Sequence, residues 1–122
     1  MLKRIAIGVA VVVALGGPGA AQSIFFSYPP DTYLTSAIHL PDFDGRDEWA
    51  GNYRTRIING LQSGPNFAGH YSLIEIGCGT DCRFAFVADA QTGQVWSFPL
   101  GGEENYQLQL LYTIDSRLVR AT

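Results

Sequence analysis

Residues 67–89 read FAGHYSLIEIGCGTDCRFAFVAD, and they hold both cysteines of the chain, Cys78 and Cys82. Apolar residues alternate on both sides of the GCGTDC segment, a period of two that marks strands. If Cys78 opposes Cys82, then Ile76 opposes Phe84, Ile74 opposes Phe86 and Ser72 opposes Ala88. One face of the resulting hairpin carries Ile74, Ile76, Cys78, Cys82, Phe84 and Phe86 and is expected to face the core. On the other face Glu75 lies diagonal to Arg83, within reach of a charge pair. Register and facing agree without adjustment, which supports an antiparallel hairpin over residues 67–89.

The two cysteines are open to three chemical readings. A zinc site needs about four ligands, and outside this pair only His39 and His70 could add to the soft donors. A thioredoxin-type redox pair has two residues between its cysteines and opens a helix, whereas here three residues intervene in a hairpin. A disulfide staple between Cys78 and Cys82 is the simplest reading, closing a loop of five residues.

The compartment follows from the first 21 residues. Lys3 and Arg4 precede an apolar run over residues 5–15, then Gly16, Gly17, Pro18 and Gly19, then Ala20 and Ala21. A basic start, a short apolar stretch and a small-x-small site make a secretory signal, with cleavage expected after Ala21. The apolar run is shorter than the ~20 residues that span a bilayer, so no stable membrane anchor is expected after cleavage. Residues 1–21 are thus read as a signal peptide and residues 22–122 as a single small domain, periplasmic or secreted. Loss of Lys3 and Arg4 moves the net charge from -3 to -5 and leaves Arg as the sole basic residue type. Phosphate binding needs clustered positive charge, so no nucleic-acid partner is expected. Export to an oxidising compartment favours pairing of the cysteines.

Outside the hairpin, residues 22–43 contain three prolines and read as irregular, with a short strand over residues 24–28. DGRDEWAGNYRTRIINGL, residues 44–61, reads as the one helix of the mature chain. Asp44 is its expected N-cap, Asp47 and Glu48 suit the positive end of its dipole, and Asn59-Gly60 supplies its stop. Trp49, Tyr53, Ile57 and Leu61 recur every four residues and are expected to pack on the sheet. DAQTGQV turns at Gly93, VWSFP gives a short strand, YQLQLLYTI (residues 106–114) another, and RLVRAT the last. These elements define an α+β domain, one helix on a mainly antiparallel sheet of four to six strands with a disulfide-stapled hairpin.

Two further groups bear on chemistry. His70 falls on the Ile74 face, and its ordinary role is structural at a sheet edge. Its functional role would be a general base, since imidazole titrates near neutral pH, but no nucleophile elbow accompanies it. Asp42, Asp44, Asp47 and Glu48 crowd into seven residues, as a calcium loop requires, yet their spacing is not that of an EF-hand and a helix N-terminus accounts for most of them. Asp89 suits a turn. Tyr28, Tyr33 and Tyr53 are candidate partner contacts.

Taken together, GPNFAGHY, GCGTDC, VADAQTGQVWSFP and DSRLV resemble a family of small exported bacterial proteins, over residues 44–119. The resemblance carries no activity, so it transfers no catalytic residue. It implies a further aromatic strand after the DSRL segment, so that this chain, ending at Thr122, is expected either to be short of a strand or to end in an unpaired edge. The function these readings favour is non-catalytic: an exported binding module without a cofactor. Its expected partner is another envelope or secreted protein, in the manner of an inhibitor or immunity-type protein. The alternatives are a small periplasmic enzyme or metal-dependent site using His70 with nearby carboxylates, either Asp89 or the acid cluster of residues 42–48, and a structural envelope accessory protein.

Overall fold

The computed structural model describes residues 2–7, 9–15, 24–105 and 107–122. Its strands are β1 (Leu2–Ile7), β2 (Val9–Leu15), β3 (Tyr71–Gly79), β4 (Cys82–Asp89), β5 (Val95–Ser97), β6 (Leu110–Leu111) and β7 (Leu118–Ala121). A 3-10 helix, Glu48–Tyr53, runs straight into the α-helix α1 (Arg54–Gln62). The fold is α+β. One sheet has the order β3-β4-β5 and is antiparallel throughout. The other pairs β6 with β7 antiparallel, and the N-terminal β1-β2 hairpin joins it through a parallel pairing of β2 with β7. The expected cleavage site at Ala21 lies outside the described residues, as does Tyr106.

The hairpin register is the one the alternation dictates over most of its length: Ser72↔Ala88, Ile74↔Phe86 and Ile76↔Phe84. It departs at the tip. Cys82 pairs with Gly79, and the strand is irregular between Gly77 and Gly79. Cys78 sits in that irregularity, with its side chain exposed while Cys82 is buried. The expectation that both cysteines face the core is therefore corrected for Cys78. Flanking glycines let the backbone bulge there without a side-chain clash, and Gly79 takes a φ of 129°. The two cysteines are nonetheless joined in a disulfide, and Arg83 Nη1 reaches Glu75 Oε1 at 3.7 Å on the outer face.

Both faces of the three-stranded sheet are buried, where the alternation suggested one. Ile74, Ile76, Phe86, Ala88 and Val95 pack beneath α1 with Ile57, Leu61, Phe43 and Ala50. On the reverse face Tyr71, Leu73, Ala85 and Val87 pack with Phe98, Leu108, Val119 and Ala121. The molecule is layered accordingly: helix, three-stranded sheet, then the small sheet of β6 and β7. The nearly unbroken apolar run FAGHYSLIEI fits a strand covered on both sides.

The helix differs from its sequence reading in three respects. It does not start at Asp44. Asp47 turns inward and makes no capping bond. Trp49 and Tyr53 leave the stripe, because a 3-10 helix advances about 120° per residue and an α-helix about 100°. The four-residue interval rotates Trp49 away from Ile57 and Leu61, which stay buried, and Ala50 turns inward instead. Gly60 is not a stop. It lies inside α1, where a Cβ would come within 2.5 Å of Ile74 Cγ1, so glycine sets how closely the helix approaches the sheet. The helix ends at Gln62, and Gly64, at φ 94°, donates its N–H to Leu61 O.

Two further expectations are adjusted, and a third, the turn at Gly93, holds. Ile24 and Phe25 are helical and the chain then turns through residues 26–28, with Ser27 N–H donating to Ile24 O and Tyr28 N–H to Phe25 O, in place of the expected strand. The strand expected over residues 106–114 is ordered as a ladder only at Leu110–Leu111. The turn at residues 89–94 forms around Gly93 at φ 82°, whose N–H donates to Asp89 O; a Cβ there would lie 2.2 Å from Leu40 O. Among the described residues no helix is long and apolar enough to cross a membrane.

Candidate functional site

Two regions carry side chains in arrangements that packing alone does not require. The first is a cluster of aromatic rings on the helix side. The ring of Tyr53 lies 5.2 Å from Phe84 and 5.3 Å from Phe86, Trp49 lies 5.8 Å from Phe86, and Phe84 lies 5.8 Å from Phe86. The Tyr53–Phe84 and Phe84–Phe86 contacts are edge-to-face, the favoured geometry for aromatic pairs. Phe86 is buried at the base, whereas Trp49 is 54% and Tyr53 38% exposed. The next residue, Arg54, places its guanidinium 5.0 Å above the Phe43 ring, a cation–π contact. The surface therefore presents Trp, Tyr and Arg side by side on a rigid base. Tyr28 and Tyr33, proposed from sequence as partner contacts alongside Tyr53, lie outside this ring cluster. Tyr28 is half-buried, and its carbonyl accepts bonds from Ser116 Oγ and Arg117 N–H. The Tyr33 hydroxyl is tied to Asp115 at 2.8 Å.

The second region is His70. It immediately precedes β3 and is 4% exposed. Its Nδ1 lies 2.7 Å from Asp89 Oδ1, so Nδ1–H donates to the carboxylate. The same oxygen accepts the N–H of Gln91 at 2.9 Å. Asp89 is thus the turn residue the sequence suggested and also the partner of His70, one of the two acidic partners that the enzyme alternative named. His70 Nε2 faces Asp31 Oδ1 at 3.8 Å, beyond hydrogen-bond range. The ring lies 4.3 Å from that of Tyr71. Burial, with the negative charges of Asp89 and Asp31, pushes the Tyr71 hydroxyl well above the usual tyrosine range. Backbone bonds tie the region down: Leu34 N–H to Gly69 O and Ala90 N–H to His70 O. Gly69 is held at φ 85° with Thr32 O where its Cβ would stand. Chemically, an imidazole with Nδ1–H on a carboxylate can accept a proton at Nε2. Among the described contacts, no Ser, Thr or Cys side chain is hydrogen-bonded to Nε2 as a nucleophile would be.

The acidic run divides. Asp47 is fully buried, and its Oδ1 accepts the Val95 N–H at 3.1 Å while Oδ2 accepts the Asp42 N–H at 2.9 Å and Arg46 Nη2 at 2.9 Å. Burial raises the Asp47 carboxyl, but the Arg46 guanidinium and the two N–H donors outweigh it, and the net shift is downward. Asp42, Asp44 and Glu48 are exposed, with Asp44 4.0 Å from Arg54. Among the described residues no group of three or more His, Cys, Asp or Glu is placed to hold a metal ion. A polar pocket of about 310 Å³ lies at the hairpin tip, lined by Asp81, Arg83, Gln107, Leu108 and Gln109, and His70 is not part of it.

Comparison with family models, with curated proteins and with solved structures finds no match.

Proposed function

We propose that the protein is an exported, non-catalytic binding module that engages another envelope or secreted protein through the Trp49–Tyr53–Arg54 surface. The observation that carries this reading is that Trp49 and Tyr53 stand exposed on the Phe84–Phe86 base. Residue types that dominate protein interfaces are Trp, Tyr and Arg, and rings pre-organised by stacking lose little freedom when a partner covers them. The stapled hairpin and the buried Asp47 hold that base in place. An inhibitor or immunity-type role fits a small, rigid, acidic module of this kind. The test replaces Trp49 with a photo-reactive phenylalanine analogue in the exported protein. Irradiation is expected to give a discrete heterologous adduct that a probe at the exposed Asn59, on α1, does not give. Equal labelling at both positions refutes the reading.

A second reading, hydrolytic or other general-base chemistry at His70, draws on the 2.7 Å contact with Asp89. Its weakness is the burial of the ring and the irregular segment packed across it. Under the binding reading His70 and Asp89 fasten residues 29–34 onto the β4–β5 turn, and His70→Gln lowers stability without abolishing partner capture. Loss of capture in a folded His70→Gln protein favours the second reading.

A further inference from the structure

Strand β7 has two edges, and its pairing separates them. On one side Gln109 and Thr122 exchange backbone bonds of 3.0 Å, and Leu111 pairs with Arg120. Residues in an antiparallel ladder alternate between facing the partner and turning away from it. The N–H and C=O groups of Val119 and Ala121 therefore point to the other edge. There β2 lies parallel, in the register Val12↔Leu118 through Leu15↔Ala121. Those β2 residues, VAVVVAL, belong to the apolar stretch read as a secretory leader. Removal of residues 1–21 takes that strand away. Val119 and Ala121 keep their side chains in the core between the sheets, while their outward backbone groups lose their partners, a state that edge strands resolve by pairing with another chain.

We propose that the exported protein uses this edge to take up a strand from a second protein: an extended, uncharged, β-branched apolar segment running parallel to β7, in the position β2 holds. This rests on the export reading but not on the aromatic surface. The orientation and chemistry of the occupant follow from the strand seated there. Pairing of two copies through β7 is disfavoured on charge. Outward groups sit at Val119 and Ala121, so the antiparallel register that joins Val119 of one copy to Ala121 of the other sets Arg120 directly opposite Arg120, and like charges so placed repel. A donated strand carries no such conflict, and strand addition of this kind draws its affinity from main-chain bonds.

The test uses residues 22–122, purified from the exported fraction, with a synthetic peptide of residues 9–15 carrying two lysines at each end for solubility. Amide hydrogen exchange is read residue by residue. The Val119 and Ala121 amides are expected to exchange rapidly in the free protein, while Arg120 and Thr122 are protected by β6. Peptide is expected to slow Val119 and Ala121 by about tenfold or more, the same peptide N-methylated at alternate residues has no effect, and Trp49→Ala/Tyr53→Ala leaves uptake unchanged. Four results overturn the proposal: exported protein that retains residues 1–21; protection of Val119 and Ala121 without peptide at monomer mass, which means the chain covers its own edge; the same protection at dimer mass, which means a second copy does; or no slowing by peptide.

Discussion

Replacing Asp47 with Asn isolates the joint that fixes the base of the aromatic surface. The carboxylate is fully buried, and its two oxygens accept four donors: Val95 N–H on Oδ1, and Asp42 N–H with Arg46 Nε and Nη2 on Oδ2. An Asn of the same shape keeps one oxygen and puts an NH2 group where the other was, so at least one backbone N–H faces a donor. Hydrogen bonds to charged groups contribute roughly 1.5–3 kcal/mol each, and a buried unsatisfied group costs about 1–3 kcal/mol. Asp47→Asn is therefore expected to cost about 2–4 kcal/mol. The effect is pH-dependent with a definite sign. The folded-state carboxyl is held below its usual range, so its stabilisation is complete above the unfolded value of about 3.9 and is lost as pH falls through the folded value. Urea denaturation read by far-UV circular dichroism at neutral pH and at several values below pH 4 measures both effects. The two proteins are expected to differ at neutral pH and to converge on acidification. A difference under about 0.5 kcal/mol at neutral pH, or a gap that widens in acid, refutes the structural role of Asp47 and returns it to the exposed acidic run.

Further outcomes follow from the packing. Gly60→Ala is expected to destabilise the protein by roughly 1–2 kcal/mol through overpacking against Ile74, but to stabilise it in an Ile74→Ala background, where only the ~1 kcal/mol gain in helix propensity is left; denaturant midpoints across the four proteins read this sign reversal. Cys78→Ser with Cys82→Ser should cost about 2 kcal/mol from loop entropy and leave partner capture intact in the folded fraction, and a thiol assay on the denatured, unreduced wild type should find none free. Trp49→Ala should cost only about 1–2 kcal/mol because the ring is half out of the core; a loss above about 3 kcal/mol would mean the ring is buried. Intact mass of the exported protein should correspond to a chain beginning at Gln22.

The readable parts of this fold were those governed by a strict period. Strand alternation set Ile74 opposite Phe86 and Ile76 opposite Phe84, and Gly93 marked its turn, because backbone geometry leaves few choices there. The bulge at Cys78 was not legible, since Gly77 and Gly79 permit several backbone paths and the disulfide needs only proximity. Trp49 was misplaced because an α-helical period was carried through a segment that winds as a 3-10 helix once Asp47 turns inward to Val95, a residue 48 positions away. The second core had a signal in the apolar character of both strand faces, Tyr71, Leu73, Ala85 and Val87 included, which one-sided alternation obscured. His70 and Asp89 were legible as an edge histidine and a turn acid, with Asp89 one of two acidic partners open to His70. Their contact depends on how β3 and β4 pair beyond the last ladder residue, which no local pattern encodes.

The most direct test of the binding account is quantitative affinity capture from envelope extract with the mature wild type, the Trp49→Ala/Tyr53→Ala variant and His70→Gln, each first shown to be folded by circular dichroism. The account predicts a defined partner that wild type and His70→Gln retain and the double variant loses, with the purified partner binding wild type at least about tenfold more tightly than the double variant, a difference of about 1.4 kcal/mol. A partner held equally by the double variant, or lost only with His70→Gln, contradicts it.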